Sequence, residues 1–154
     1  MPRLAVGATA PSFTLNDQEG RALTSDSLRG ERFVLYFYPA DDTPGCTVEA
    51  CGFNEGLAAF EHLGVRVVGV SPDDAASHAK FRAKYALDFD LLSDPSTTTM
   101  AAYGAYGEKM LYGKTVVGVI RSTFVVGPTG LIEHAWYGPR TKGHAERVLE
   151  AIKG

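Results

Sequence analysis

Phe33-Val34-Leu35-Tyr36-Phe37-Tyr38 is a nearly unbroken apolar run, and a turn and then a helical pattern follow it directly. A run this short and this rich in aromatics suits an inner strand covered on both faces. After the turn at Pro39 to Asp42, a helix is expected from Pro44 to about Leu63. Proline suits the first helical position, and Phe53, Leu57 and Phe60 recur at helical spacing. Gly64 ends that helix, and Val65 to Val70 reads as a second strand. Ser71-Pro72-Asp73-Asp74 then opens a helix carrying Phe81 and Tyr85 four residues apart. Leu91-Leu92 is a short strand, and Ser93-Asp94-Pro95 leads into a short helix near Met100 to Tyr103.

The flanks add antiparallel pieces. Ser12 to Leu15 and Arg21 to Leu23 surround the turn Asn16-Asp17-Gln18-Glu19-Gly20, which predicts an N-terminal hairpin. Gly104 to Lys114 reads as a loop, and Thr115 to Val126 as one long β-branched run. Gly127-Pro128-Thr129-Gly130 turns that run back into Leu131 to Trp136, and a terminal helix spans about Ala145 to Ile152. Strands alternating with helices, plus late hairpin strands, predict an α/β fold: a central mixed sheet with helices on both faces. All 154 residues fit one domain, and a domain of that size buries roughly 70% of the surface its unfolded chain exposes.

The formal net charge of −3 leaves no electrostatic footprint for nucleic acid or an anionic membrane. No run approaches the roughly 18 apolar residues of a membrane span, and Met1 to Gly7 has no leader-like apolar stretch, so the expected location is cytoplasmic. His62, His78, His134 and His144 are scattered, and none lies within four residues of a cysteine. They read as surface or packing residues, and no metal is expected. The glycine-rich stretches lack the Gly-Lys-Ser/Thr phosphate motif, so no nucleotide cofactor is expected either.

Both cysteines lie at the start of the first long helix. With Thr43 as N-cap, Pro44, Gly45 and Cys46 are its first three residues. A sulfur at the third position meets free backbone N–H groups and the positive end of the helix dipole, which favour the anionic thiolate. Cys51 follows five residues on. Along an α-helix that is about 7.5 Å of rise and about 140° of rotation, a Cα separation near 8.6 Å, whereas bridged cysteines need about 6.8 Å or less. The pair cannot join while the helix is intact. This spacing favours a cycle between a helical dithiol and a locally unwound disulfide, with Cys46 free to meet a small oxidant before Cys51 arrives.

Pro39-x-x-x-Thr43-x-x-Cys46 resembles the active-site motif of the peroxiredoxins. Asp41-Asp42-Thr43-Pro44-Gly45-Cys46-Thr47-x-Glu49-Ala50-Cys51 is similar to the subgroup called bacterioferritin comigratory protein, or PrxQ. The likeness runs from Gly7-x-x-Ala10-Pro11-x-Phe13 to the terminal helix. It implies a thioredoxin-like fold and a monomeric thiol peroxidase needing no metal, haem or flavin. Cys46 would attack a hydroperoxide, Cys51 would resolve the product as an intramolecular disulfide, and thioredoxin or a similar dithiol would recycle it. The same resemblance gives Thr43 a hydroxyl turned toward peroxide and sulfur, Pro39 a shielding role, Arg121 the stabilisation of the thiolate, and Glu49 the acidic position in the helix's next turn.

Arg121 is informative without the family, since it interrupts strand formers whose alternating faces are both largely apolar and therefore needs an anionic partner or a wet pocket. The chain departs from its relatives at Tyr106, where many carry Trp before the glycine, and at Ala40, where many carry Lys. Two other functions fit a cysteine pair: a general dithiol–disulfide oxidoreductase and a non-enzymatic peroxide sensor.

Overall fold

The structure, a computed structural model, describes residues 3–154. A seven-stranded sheet runs through it, formed by β1 (Thr14–Asn16), β2 (Ala22–Thr24), β3 (Arg32–Phe37), β4 (Val65–Ser71), β5 (Asp90–Ser93), β8 (Ser122–Val126) and β9 (Ile132–Tyr137), in the order β2-β1-β5-β4-β3-β8-β9. The central strands β3, β4 and β5 are parallel, whereas β8 and β9 add antiparallel at one side and the β1–β2 hairpin at the other. The mixed sheet expected from the strand-helix alternation is therefore present.

The pleat of β3 sends alternate side chains to opposite faces. Val34, Tyr36 and Tyr38 join one buried cluster with side chains from α1 (Pro44–Glu55), α2 (Leu57–His62), α3 (Ala75–Tyr85) and α5 (His144–Lys153). Phe33, Leu35 and Phe37 join a second cluster with Met100 of α4 (Thr98–Ala102), Tyr103, Phe124 and Ile132. Burial on both sides is why this run carries no alternation. Each such side chain contributes roughly 1.5–3 kcal/mol by leaving water. Tyr36 also stacks on Phe53 of α1 with ring centroids 4.7 Å apart, which seats that helix on the sheet. Gly69 of β4 makes room for the same ring, because a Cβ there would stand 2.9 Å from Tyr36 Cζ.

Three expectations need correction. The helix expected from Pro44 to about Leu63 divides at Gly56 into α1 and α2; glycine is a weak helix former, and the ladder restarts there. Gly104 to Lys114 is not a loop. Tyr106–Leu111 is β6, paired antiparallel with β7 (Lys114–Val119) in a separate two-stranded sheet. Tyr112 and Gly113 make the tight turn between them, both at positive φ, as two-residue hairpin turns with this twist require. Glycine and charged residues in β6 hid its strand character. Finally, the run from Thr115 to Val126 is two strands in two sheets, separated at Ile120-Arg121.

Candidate active site

β3 ends beneath the start of α1, and the turn between them carries Pro39, Ala40, Asp41 and Asp42. Thr43 occupies the N-cap position in extended conformation, as expected, with Pro44 first in the helix. Its side chain does not cap the helix; the hydroxyl donates to Ala40 O at 2.8 Å instead. Thr47 N–H makes the first helical bond, to Thr43 O at 2.8 Å. The N–H groups of Gly45 and Cys46 therefore lie ahead of the helical ladder, beside the Cys46 side chain.

Arg121 reaches this point from the break between β7 and β8. Its Nη2 donates to Cys46 Sγ at 3.3 Å and its Nη1 to Glu49 Oε1 at 2.6 Å. One guanidinium thus spans two buried groups on successive turns of α1, Cys46 being 2% and Glu49 1% exposed. Gly45 lies directly against this approach: a Cβ there would stand in ordinary contact with Arg121 Nη2, at 3.4 Å, and with Thr141 Cγ2, at 3.7 Å. Arg121 also lines an open cleft of about 660 Å³ with Lys109, Met110, Ile120 and Pro139, so the guanidinium is reached from solvent although the sulfur is almost covered. Pro39 is half-buried in the turn.

Cys51 faces elsewhere. It is half-buried and lines a different cavity, about 470 Å³, between α1 and α5 with Glu55, His144 and Leu149. Both thiols are free and α1 is continuous through them. Burial, followed by the nearby Glu55 charge, pushes the Cys51 thiol up from its ordinary value, so it is held in the protonated form.

Burial also raises the Glu49 carboxyl, from 4.5 to about 7, with Arg121 only partly offsetting it. Its second oxygen, Oε2, and the Tyr36 hydroxyl are both buried without a hydrogen-bond partner. Between pH 4.5 and 7 the folded state keeps a proton on Glu49 that the unfolded chain has released. The Glu49 contribution to stability should therefore fall as pH rises through that window and level off above it, by an amount on the order of 3 kcal/mol. His144 works in the opposite direction below pH 6.5, because burial lowers it from 6.5 to about 4 and the folded state keeps it neutral. Urea unfolding of wild type and Glu49→Gln between pH 5 and 8 isolates the Glu49 part. The stability of the variant relative to wild type should rise with pH, and a difference that does not change with pH would assign the effect to another group. Asp41, Asp42 and Asp90 are held below the usual carboxylate range and act at lower pH.

Of the six site residues expected from the sequence, Arg121 contacts both Cys46 and Glu49, Thr43 and Pro39 belong to the adjoining turn, and Cys51 stands apart. Thr141 and Tyr36 were missed. A lone threonine after a turn carries no sequence signal, and a tyrosine in a buried strand reads as core. Among the described residues no group of three or more His, Cys, Asp or Glu side chains is placed to hold a metal, and no helix is long and apolar enough to cross a membrane.

Comparison with known proteins agrees along nearly the whole chain. The model of the AhpC/TSA family matches residues 6–135. Peroxiredoxin Bcp of Escherichia coli K12 is 38% identical over 153 residues, covering 99% of this chain and 98% of that protein. The crystal structure of a cysteine-to-serine mutant of Xylella fastidiosa PrxQ superposes with a TM-score of 0.92 at 36% identity, over 99% of this chain and 98% of the other. A structure of the Xanthomonas campestris bacterioferritin comigratory protein, solved in work on its alkyl peroxide reduction activity, has a TM-score of 0.86 at 40% identity, over 92% and 90% of the two chains. With its thioredoxin-like fold and its cysteine-bearing helix start, this chain belongs to the AhpC/TSA family, as a peroxiredoxin of the Bcp/PrxQ group.

Proposed function

We propose that the protein is a thiol-dependent peroxidase in which Cys46 reduces hydroperoxides and Cys51 resolves the product. The observation that carries the reading is the Arg121 guanidinium, which touches Cys46 Sγ and is held on its other side by Glu49. It lies where negative charge develops as the O–O bond breaks. Cys46 thiolate attacks the terminal peroxide oxygen, and the departing alkoxide or hydroxide takes up a proton and leaves as alcohol or water. Cys46 is left as a sulfenic acid. The Thr43 hydroxyl already donates to Ala40 O, so its oxygen lone pairs are available to accept the peroxide O–H. The free N–H groups at the helix start share the charge, and Pro39 shields the pocket. The alkyl peroxide reduction of the Xanthomonas relative supports organic hydroperoxides as substrates beside hydrogen peroxide.

Resolution requires α1 to unwind, because Cys46 Sγ is buried against Arg121 while Cys51 faces the cavity between α1 and α5, five residues along one continuous helix. Cys51 sulfur then attacks the sulfenic sulfur, water leaves, and the S–S bond forms within one chain. Thioredoxin or a similar dithiol returns both thiols in a reducing, cytoplasmic setting. A monomer suffices for this cycle, and no cofactor takes part. A general dithiol–disulfide oxidoreductase is a poorer fit, since its thiols must pair with little rearrangement.

Stopped-flow mixing of the reduced protein with hydrogen peroxide tests the reading, and a rate comparable to free cysteine would sink it. In Cys51→Ser, one rapid oxidation should survive while thioredoxin-linked cycling falls by about 10²-fold or more. Unimpaired cycling would remove Cys51 from the mechanism. Consumption of a single peroxide equivalent by the wild type, with reductant present, would favour a sensor.

A further inference from the structure

We propose that His78 is a positioning residue for the peroxide reaction. With Asp41 it forms a buried hydrogen-bonded pair through which α3 holds the turn carrying Thr43. The inference rests on the peroxidase reading above and extends it to residues outside the Cys46 pocket.

His78 is completely buried, and both ring nitrogens face acceptors: Nε2 lies 2.9 Å from Leu92 O, and Nδ1 lies 2.8 Å from Asp41 Oδ2. A carbonyl oxygen can only accept, so Nε2 carries a proton. Asp41 is ionised, since burial alone would raise its carboxyl but hydrogen bonds from His78, Tyr38 and Ser77 outweigh that and hold it below the usual range. The Tyr38 hydroxyl donates to Oδ1 at 2.5 Å, and the Ser77 hydroxyl donates to Oδ2 at 2.7 Å. Both ring nitrogens of His78 and both carboxylate oxygens of Asp41 are thereby tied into one buried hydrogen-bonded network.

Everything Asp41 holds belongs to the catalytic turn or to its support. Its own N–H donates to Asp73 Oδ2 at 2.7 Å, just ahead of α3. The next residue, Asp42, sits at φ 57, a left-handed conformation that costs a non-glycine residue roughly 1–3 kcal/mol. Its carboxylate is gripped from the end of the same helix, by Lys84 Nζ and the Tyr85 hydroxyl, each at 2.7 Å. The preceding residue, Ala40, presents the carbonyl that takes the Thr43 hydroxyl. A shift of Asp41 therefore moves Ala40 O and turns the Thr43 oxygen away from the incoming peroxide. A buried polar pair of this kind adds little stability, since well-packed apolar residues often do as well or better. Its value here is geometric.

Peroxide and a small alkylating agent separate positioning from general disruption, because alkylation needs the Cys46 thiolate but not the Thr43 acceptor. His78→Gln should lower the stopped-flow rate with hydrogen peroxide by about 10-fold, within the range that a misplacement near 1 Å produces, and leave iodoacetamide alkylation of Cys46 within about two-fold. In steady state the loss should fall on kcat/KM for peroxide and spare kcat/KM for the reductant. Asp41→Asn should behave alike, and the double variant should be no slower than either single one. Ser77→Ala removes one donor at a half-buried site. It should slow the peroxide step by about three-fold, which keeps the question open to measurement if His78→Gln fails to fold. A peroxide rate within about two-fold of wild type in a folded His78→Gln protein, or in Ser77→Ala if that protein does not fold, overturns the proposal, as does an equal fall in alkylation. Slow peroxide reaction in the wild type defeats the peroxidase reading instead.

Discussion

Cys46→Ser should leave no measurable peroxide turnover, a loss of at least about 10⁴-fold, because the alcohol is not ionised at neutral pH and forms no sulfenic acid. The substitution is nearly isosteric in a site that is 2% exposed, and a serine oxygen can still accept from Arg121 Nη2. Stability should therefore change by no more than about 1 kcal/mol. A coupled assay with thioredoxin, its reductase and NADPH reads the turnover, and thermal unfolding reads the fold. Residual peroxidase activity in a properly folded variant would mean that another group, with Cys51 the obvious candidate, attacks peroxide. A mass spectrum after one equivalent of peroxide would show which sulfur is oxidised.

Arg121→Met should slow the reaction of peroxide with the reduced protein by about 10²- to 10³-fold, the range found when a preorganised donor is removed from developing charge. It should also weaken the fold. Glu49 is 1% exposed and would be left without its one hydrogen-bond partner, and an ion pair broken in this way typically costs about 3–5 kcal/mol. That penalty depends on ionisation. Near pH 6 the carboxyl holds its proton, so the destabilisation should be smaller there than at pH 8. Adding Glu49→Gln should restore most of the stability at pH 8 without restoring the rate. Joint recovery of stability and rate would reduce Arg121 to a counter-ion for Glu49.

The start of α1 and the cysteine positions on it were legible because they depend on neighbours a few residues away. Pro44 at the first helical position and Thr43 before it mark the start of α1 without reference to the rest of the chain. β3 was legible because burial on both faces removes polar residues from a strand. The hairpin β6–β7 was not. Its residues are largely exposed, so packing left no apolar alternation to read. The change of sheet at Arg121 was equally hidden, since β7 and β8 are both rich in strand formers. What separates them is tertiary, including the bond from Ile120 N–H to Ala105 O at 2.7 Å. His78 shows the limit most clearly: one histidine among four in the sequence, it meets its carboxylate 37 residues away.

The sequence by itself determined that two thiols stand five residues apart on one helix, too far along it and around it to join, with the first at the end where backbone donors are free. Helical geometry repeats locally, so no distant contact is needed to know this. Only the tertiary structure decided which charges meet there. β8 pairs antiparallel with β3, Phe37 opposite Ser122, and this places Arg121 beside the turn into α1 although 75 residues separate it from Cys46. Such partners are set by the order of strands across the sheet, which is settled by burying both faces of the whole sheet at once rather than by any short stretch of chain.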